Sequence, residues 1–197
     1  MKYIIVFLAV LLYLPASGQP FDSLNRKSEI EVCMKPVYST NEFQRIVDSM
    51  QMSIEELSDH PVIFPIKKPV RISSGFGMHY HPIYKVRKFH TGIDIPKTKS
   101  PPMYAAGNGI VTRKGNCSGY GNFIEVEHAG GFRSFYAHLS RTMVNIGDSI
   151  SITQQIACAD NTGVATGSHL HYEIRKGKRF LNPTGWCGYL YEILKSK

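Results

Sequence analysis

Five side chains could do chemistry together: His90 and Asp94 in His90-Thr91-Gly92-Ile93-Asp94, then His138, then His169 and His171 in His169-Leu170-His171. Imidazole and carboxylate are the ligand types of a catalytic zinc, and three protein ligands leave a fourth position for a water whose pKa the metal lowers to about 7. The residue types therefore fit a metal-dependent hydrolase. Spacing adds constraints. Four extended residues span about 13 Å, so His90 and Asp94 reach one metal only if the chain bends between them, and Gly92 makes a bend cheap. His169 and His171, two apart on a strand, share a face about 7 Å apart, so one can ligate while the other addresses water or substrate. Singly, each histidine or His-x-x-x-Asp match is weak evidence; their combination and order carry the signal.

The elements that must position these residues read as strands. From Val70 to about Pro183, short runs rich in Ile, Val, Phe and Tyr are separated by glycine-rich turns such as Ser73-Ser74-Gly75-Phe76-Gly77 and Gly119-Tyr120-Gly121-Asn122. Phe123 to His128 alternates apolar with polar, Ala129-Gly130-Gly131 turns, and Phe132 to His138 returns as an antiparallel partner. Ahead of this region, Ser39-Thr40-Asn41-Glu42 is a capping box, and Phe43, Ile46, Val47, Met50, Ile54 and Leu57 recur at helical spacing, which predicts one amphipathic helix over Asn41 to Ser58. Residues 19 to 37 show no clear period and read as a linker or loosely packed arm.

The first residues have the parts of a secretory signal: Lys2, an apolar run from Tyr3 to Leu14, and small residues at Ala16 and Gly18. The run is too short for a spanning helix, which needs about 20 residues. The expectation is an exported protein, periplasmic or secreted, cleaved after Gly18 and with no integral membrane segment thereafter. The formal charge of +8, from 23 basic and 15 acidic residues, is scattered, as in Lys176-Gly177-Lys178-Arg179 at an apparent turn, and reads as a solvated surface with no nucleic-acid partner. Four cysteines in an exported chain predict disulfides; the pairing expected is Cys117 with Cys158 and Cys33 with Cys187.

The stretch from about Pro65 to Pro183 resembles the lysostaphin-type peptidoglycan metalloendopeptidases, the M23 peptidase family. The resemblance rests on Ser74-Gly75-Phe76-Gly77 with His81-Pro82-Ile83, on His90-Thr91-Gly92-Ile93-Asp94, and on Ala105-Ala106-Gly107-Asn108-Gly109-Ile110-Val111. It continues in Tyr136-Ala137-His138-Leu139-Ser140, in Thr162-Gly163, and in Thr166-Gly167-Ser168-His169-Leu170-His171-Tyr172-Glu173. His79 and the Lys99-Ser100-Pro101-Pro102-Met103 loop depart from the usual pattern.

The resemblance implies a mainly β fold, a compact antiparallel domain of the lysostaphin type (the duplicated hybrid motif). It implies one Zn2+ held by His90, Asp94 and His171, with His138 and His169 as catalytic histidines, one the base and the other a donor to the oxyanion. It implies hydrolysis of stem-peptide or cross-bridge bonds in bacterial peptidoglycan. Glu173 could orient a histidine from behind or be a plain surface carboxylate. The expected layout is a signal peptide (1–18), an extension with one helix (19–64), the peptidase domain (65–187) and a tail (188–197). The rival reading is a noncatalytic wall-binding or hydrolase-activating member of the same fold.

Overall fold

The computed structural model describes residues 23–67, 70–80, 85–96, 101–159, 162 and 168–188. The expected signal peptide, the His81-Pro82-Ile83 and Thr166-Gly167 motifs, and the tail beyond 188 lie outside the described residues. The described residues form two compact units, divided between Leu57 and Ser58. Among the described residues no helix is long and apolar enough to cross a membrane.

The first unit holds α1 (Ser23–Met34), α2 (Thr40–Met50) and α3, which starts at Ile54 and ends at Ser58. Two expectations are corrected here. The arm expected over residues 19 to 37 contains α1, whose Ile30 and Met34 are buried. The single helix expected from Asn41 to Ser58 is two, because Gln51 adopts the left-handed conformation, φ 49°, and its N–H bonds back to the Asp48 and Val47 carbonyls. A second capping box restarts the chain: the Glu56 N–H donates to the Ser53 hydroxyl at 3.1 Å and the Ser53 N–H to the Glu56 carboxylate at 2.8 Å. Arg26 on α1 ties the unit together by donating to Glu56 at 2.9 Å.

The second unit is mainly β with antiparallel pairing, as expected. Its strands are β1 (Gly77–Tyr80), β2 (Arg87–His90), β3 (Ile93–Pro96), β4 (Pro102–Tyr104), β5 (Gly109–Cys117), β6 (Gly121–Glu127), β7 (Phe132–Thr142), β8 (Ser149–Ile150), β9 (Gln155–Ala159), β10 (His169–Lys176) and β11 (Arg179–Leu181). The large sheet runs β11-β10-β7-β6-β5-β8, with β3 on β10, β9 on β7 and β4 on β9; β1 and β2 form a separate ribbon. The β6–β7 hairpin falls where its alternation places it, with Glu127 opposite Arg133 and a 3-10 turn over Ala129–Gly131.

Alternation divides β10 between two tasks. Leu170, Tyr172 and Ile174 are wholly buried, as are Tyr136, Ile124 and Val126 on the neighbouring strands. His169, His171, Glu173 and Arg175 share the other face. Burying side chains of this size contributes about 1.5–3 kcal/mol each, which holds β10 in register while its second face carries polar groups. The turn at Lys176-Gly177-Lys178-Arg179 joins β10 to β11, but Lys176 is not solvated: it is 3% exposed, with Nζ 4.1 Å from the centre of the Phe132 ring.

The expected disulfides are absent: Cys33, Cys117, Cys158 and Cys187 are all free thiols. Cys117 on β5 and Cys158 on β9 are separated by β6 and β7, three strand spacings or about 14 Å, whereas a disulfide requires Cα atoms within about 7 Å. Cys187 is buried in the core of the second unit, and burial pushes its thiol pKa well up.

Candidate metal centre

Three strands supply His90, Asp94 and His171. His90 ends β2, Asp94 lies in β3, and His171 on β10 pairs directly with Asp94. The bend between β2 and β3 falls at Thr91 and Gly92. Glycine is needed there for closeness: a Cβ on Gly92 would lie 2.3 Å from the Tyr172 carbonyl oxygen and 2.8 Å from Glu173 Cγ. The segment before β1 anchors both ligand-type residues. Asp94 exchanges backbone hydrogen bonds with Ser73 and Ser74, each 2.9 Å, and His90 Nδ1 donates to the Gly75 carbonyl at 2.8 Å.

That last bond fixes the His90 tautomer. A carbonyl can only accept, so Nδ1 carries the hydrogen and Nε2 of the neutral ring presents a lone pair. Nε2 faces His171 Nδ1 at 3.0 Å and Asp94 Oδ1 at 3.2 Å, and His171 Nδ1 is 2.9 Å from the same oxygen. A tetrahedral zinc with bonds of 2.0–2.1 Å separates its ligand atoms by about 3.3 Å. The three atoms thus span one face of a tetrahedron of the right size, and a cation above that face would meet two nitrogens and one oxygen.

The electrostatics favour a positive charge there. Burial opposes ionisation of Asp94, but the neighbouring His171 and His90 imidazoles outweigh it and hold the carboxyl well below the usual range. Burial likewise disfavours charge on His171, yet its hydrogen bonds to Asp94 and Glu173 raise its pKa to about 9. Burial works against the Glu173 charge too; the His171 hydrogen bond and the charges of His171 and Arg175 bring its pKa down to about 2. The carboxylates on either side of His171 thus favour positive charge at this place.

His138 and His169 lie beside these groups, ring centres 4.7 Å apart, with His138 5.9 Å from His171. Strict alternation along β7 would send His138 to the face of Tyr136, away from His171. A bulge prevents this: Asn122 pairs with Leu139 but Ile124 with Tyr136, so β7 has one residue in excess, and His138 takes a left-handed φ of 58°. Its N–H donates to the Tyr120 carbonyl at 2.9 Å and its Nδ1 to the Thr162 carbonyl at 2.7 Å. Burial lowers its pKa to about 4, against the opposing effect of the Thr162 bond.

The structure therefore brings together all five sequence-derived residues. Tyr120, Thr91 and Thr162 join them, and sequence reasoning assigns these no role; their only signal is a place within or beside the motifs quoted above. His79, ring centre 5.1 Å from His90, also flanks the site.

A mainly β domain thus places two imidazoles and a carboxylate where they could hold one metal ion, with two further histidines alongside. Residues 88–183 match Peptidase family M23, and the chain carries the domain of that family. It is 41% identical over 113 residues to a DD-carboxypeptidase/endopeptidase, Mpg, of Neisseria meningitidis serogroup B, covering 57% of this chain and 26% of that protein. The chain spans about a quarter of the length of this relative. Its structure is similar to a zinc-containing peptidase from Vibrio cholerae, with TM-score 0.57 and 31% identity over 61% of this chain and 38% of that one. It is also similar to the catalytic domain of the antimicrobial peptidase lysostaphin from Staphylococcus simulans, with TM-score 0.56 and 26% identity over 60% and 92% of the two chains.

Proposed function

We propose that this protein is an exported zinc-dependent endopeptidase that hydrolyses peptide bonds in the stem peptides or cross-bridges of bacterial peptidoglycan, with residues 65–187 as the peptidase domain. The observation that carries the reading is the convergence of His90 Nε2, His171 Nδ1 and Asp94 Oδ1 at 2.9–3.2 Å. The likeness to Mpg, a DD-carboxypeptidase/endopeptidase, supports the peptidase activity, and the likeness to the zinc-containing Vibrio cholerae peptidase supports the metal.

His90, Asp94 and His171 are assigned as the ligands. A bound zinc supplies a Lewis acid that acidifies water and polarises a carbonyl. Catalysis by the chain itself falls to His138 and His169. With Nδ1 committed to Thr162, His138 has only Nε2 with which to accept a proton, so it is assigned as the general base. His169, 3.8 Å from Asp94 through Nε2, is assigned to steady charge on the carbonyl oxygen.

The test is mass spectrometry of fragments released from purified peptidoglycan, with and without a chelator and beside His90→Ala. Metal-dependent release that the variant lacks is the expected result and identifies the bond. Zinc-loaded, folded protein that releases nothing from several wall types would turn the reading towards a wall-binding member of the family.

A further inference from the structure

Glu173 has no exposed surface, yet it is a carboxylate on the site face of β10. Its Oε1 accepts from His171 Nε2 at 2.9 Å, from the Tyr120 hydroxyl at 2.9 Å, and from the Thr91 hydroxyl. Its Oε2 accepts from Nε and Nη2 of Arg175. Arg175 is itself held, donating to Glu125 at 2.9 Å and lying 4.0 Å over the Phe135 ring. The plain surface carboxylate is thereby excluded.

Each partner of Oε1 leads to a different part of the centre. Thr91 follows His90 directly. Tyr120 receives the His138 N–H on its carbonyl. His171 is contacted on the ring nitrogen that faces away from Asp94 and His90. Oε2 faces the N–H donors of Arg175 and Oε1 accepts from two hydroxyls, so the hydrogen shared with His171 is donated by its Nε2, and the lone pair of the neutral ring is then confined to Nδ1.

We propose that Glu173 is a positioning residue for the metal centre: it fixes the His171 tautomer and, through Thr91 and Tyr120, holds the segments bearing His90 and His138 around it. This rests on the metal reading of the site. Glutamine cannot replace it. Three donors converge on Oε1, and the amide nitrogen of a glutamine would face the N–H groups of Arg175, donor against donor.

The test begins with the zinc affinity of the wild-type chain, measured by competition with a chromophoric chelator, followed by the same measurement on Glu173→Gln. The expected result is a 10–100-fold weaker affinity in the variant, with an altered visible spectrum of its cobalt(II) form. A folded variant whose zinc affinity stays within threefold of wild type, with the same cobalt spectrum, overturns the proposal and leaves the metal reading intact. If the variant does not fold, nitrogen-15 NMR of histidine-labelled, zinc-loaded wild type decides: His171 bound through Nδ1 with a slowly exchanging Nε2–H is expected, and binding through Nε2 overturns it. Wild type that takes up no zinc overturns the metal reading, and this proposal with it.

Discussion

The carbonyl of Thr162 holds the imidazole of His138 by a 2.7 Å bond to Nδ1, leaving Nε2 as the only ring nitrogen able to take a proton. His138→Ala removes that acceptor without touching His90, Asp94 or His171. Zinc content, read by inductively coupled plasma mass spectrometry, is expected to stay at wild-type stoichiometry while fragment release falls by about 10²–10⁴-fold. Undiminished release would remove His138 from the mechanism.

Gly121 lies beneath that arrangement. Its φ is +62°, and an added Cβ would meet the carbonyl carbon of Thr162 at 2.4 Å and its oxygen at 2.6 Å. Gly121→Ala is expected to push Thr162 off His138 and lower kcat by about 10–100-fold through misplacement, with KM and zinc stoichiometry little changed. Steady-state kinetics on a released wall peptide separates the two parameters, and a loss confined to KM would contradict the expectation.

Acid sensitivity has a source away from the candidate metal centre. His128, buried, donates from Nδ1 to the Asn108 carbonyl at 2.6 Å and has Nε2 2.7 Å from the Ser134 hydroxyl. Burial lowers its pKa to about 4, below the unfolded value of about 6.5. The unfolded chain therefore binds more protons between these values. The neutral side chain's contribution is fully present above pH 6.5, declines as pH falls towards 4, and is lost below it, a total of about 3 kcal/mol. Urea unfolding of wild type and His128→Gln from pH 7.5 to 4 is expected to show a shallower decline in the variant; parallel curves would contradict it.

Metal uptake is expected to release a proton and to stabilise the fold. His171 retains a proton up to pH about 9, and a metal at Nδ1 must displace it, so apparent affinity weakens as pH falls below that value. Calorimetry at pH 7 in two buffers of different ionisation heat measures the released proton. Zinc at a hundredfold excess over its Kd is expected to add about 2.7 kcal/mol of stability, seen as a higher Tm that a chelator reverses.

The hairpin of β6 and β7 and the two-faced pattern of β10 are legible in the sequence because burial on one face forces a period of two. The grouping of His90, Asp94, His138, His169 and His171 is legible because few chemistries use those residue types in that order. The face of His138 is not: a bulge inverts the alternation, and nothing in Tyr136-Ala137-His138 marks it. The break at Gln51 also escapes the apolar spacing, which continues in phase from Met50 to Ile54; only the Ser53/Glu56 box signals it. Gly92 reads as a hinge, whereas its requirement is the close approach of the Tyr172 carbonyl from a strand far along the chain. The disulfides misread for a similar reason, since counting cysteines says nothing about the two strands between Cys117 and Cys158.

The residues proposed as ligands lie far apart in the chain: His171 follows His90 by 81 positions and Asp94 by 77. During synthesis at about 5–20 residues per second, the ribosome adds the 77 positions after Asp94 in roughly 4–15 seconds, and throughout that interval the emerging polypeptide holds only two of the three. A translation product stalled or clipped before β10 lacks His169 and His171, so the hydrolytic competence proposed for this chain arrives only with the last part of the domain.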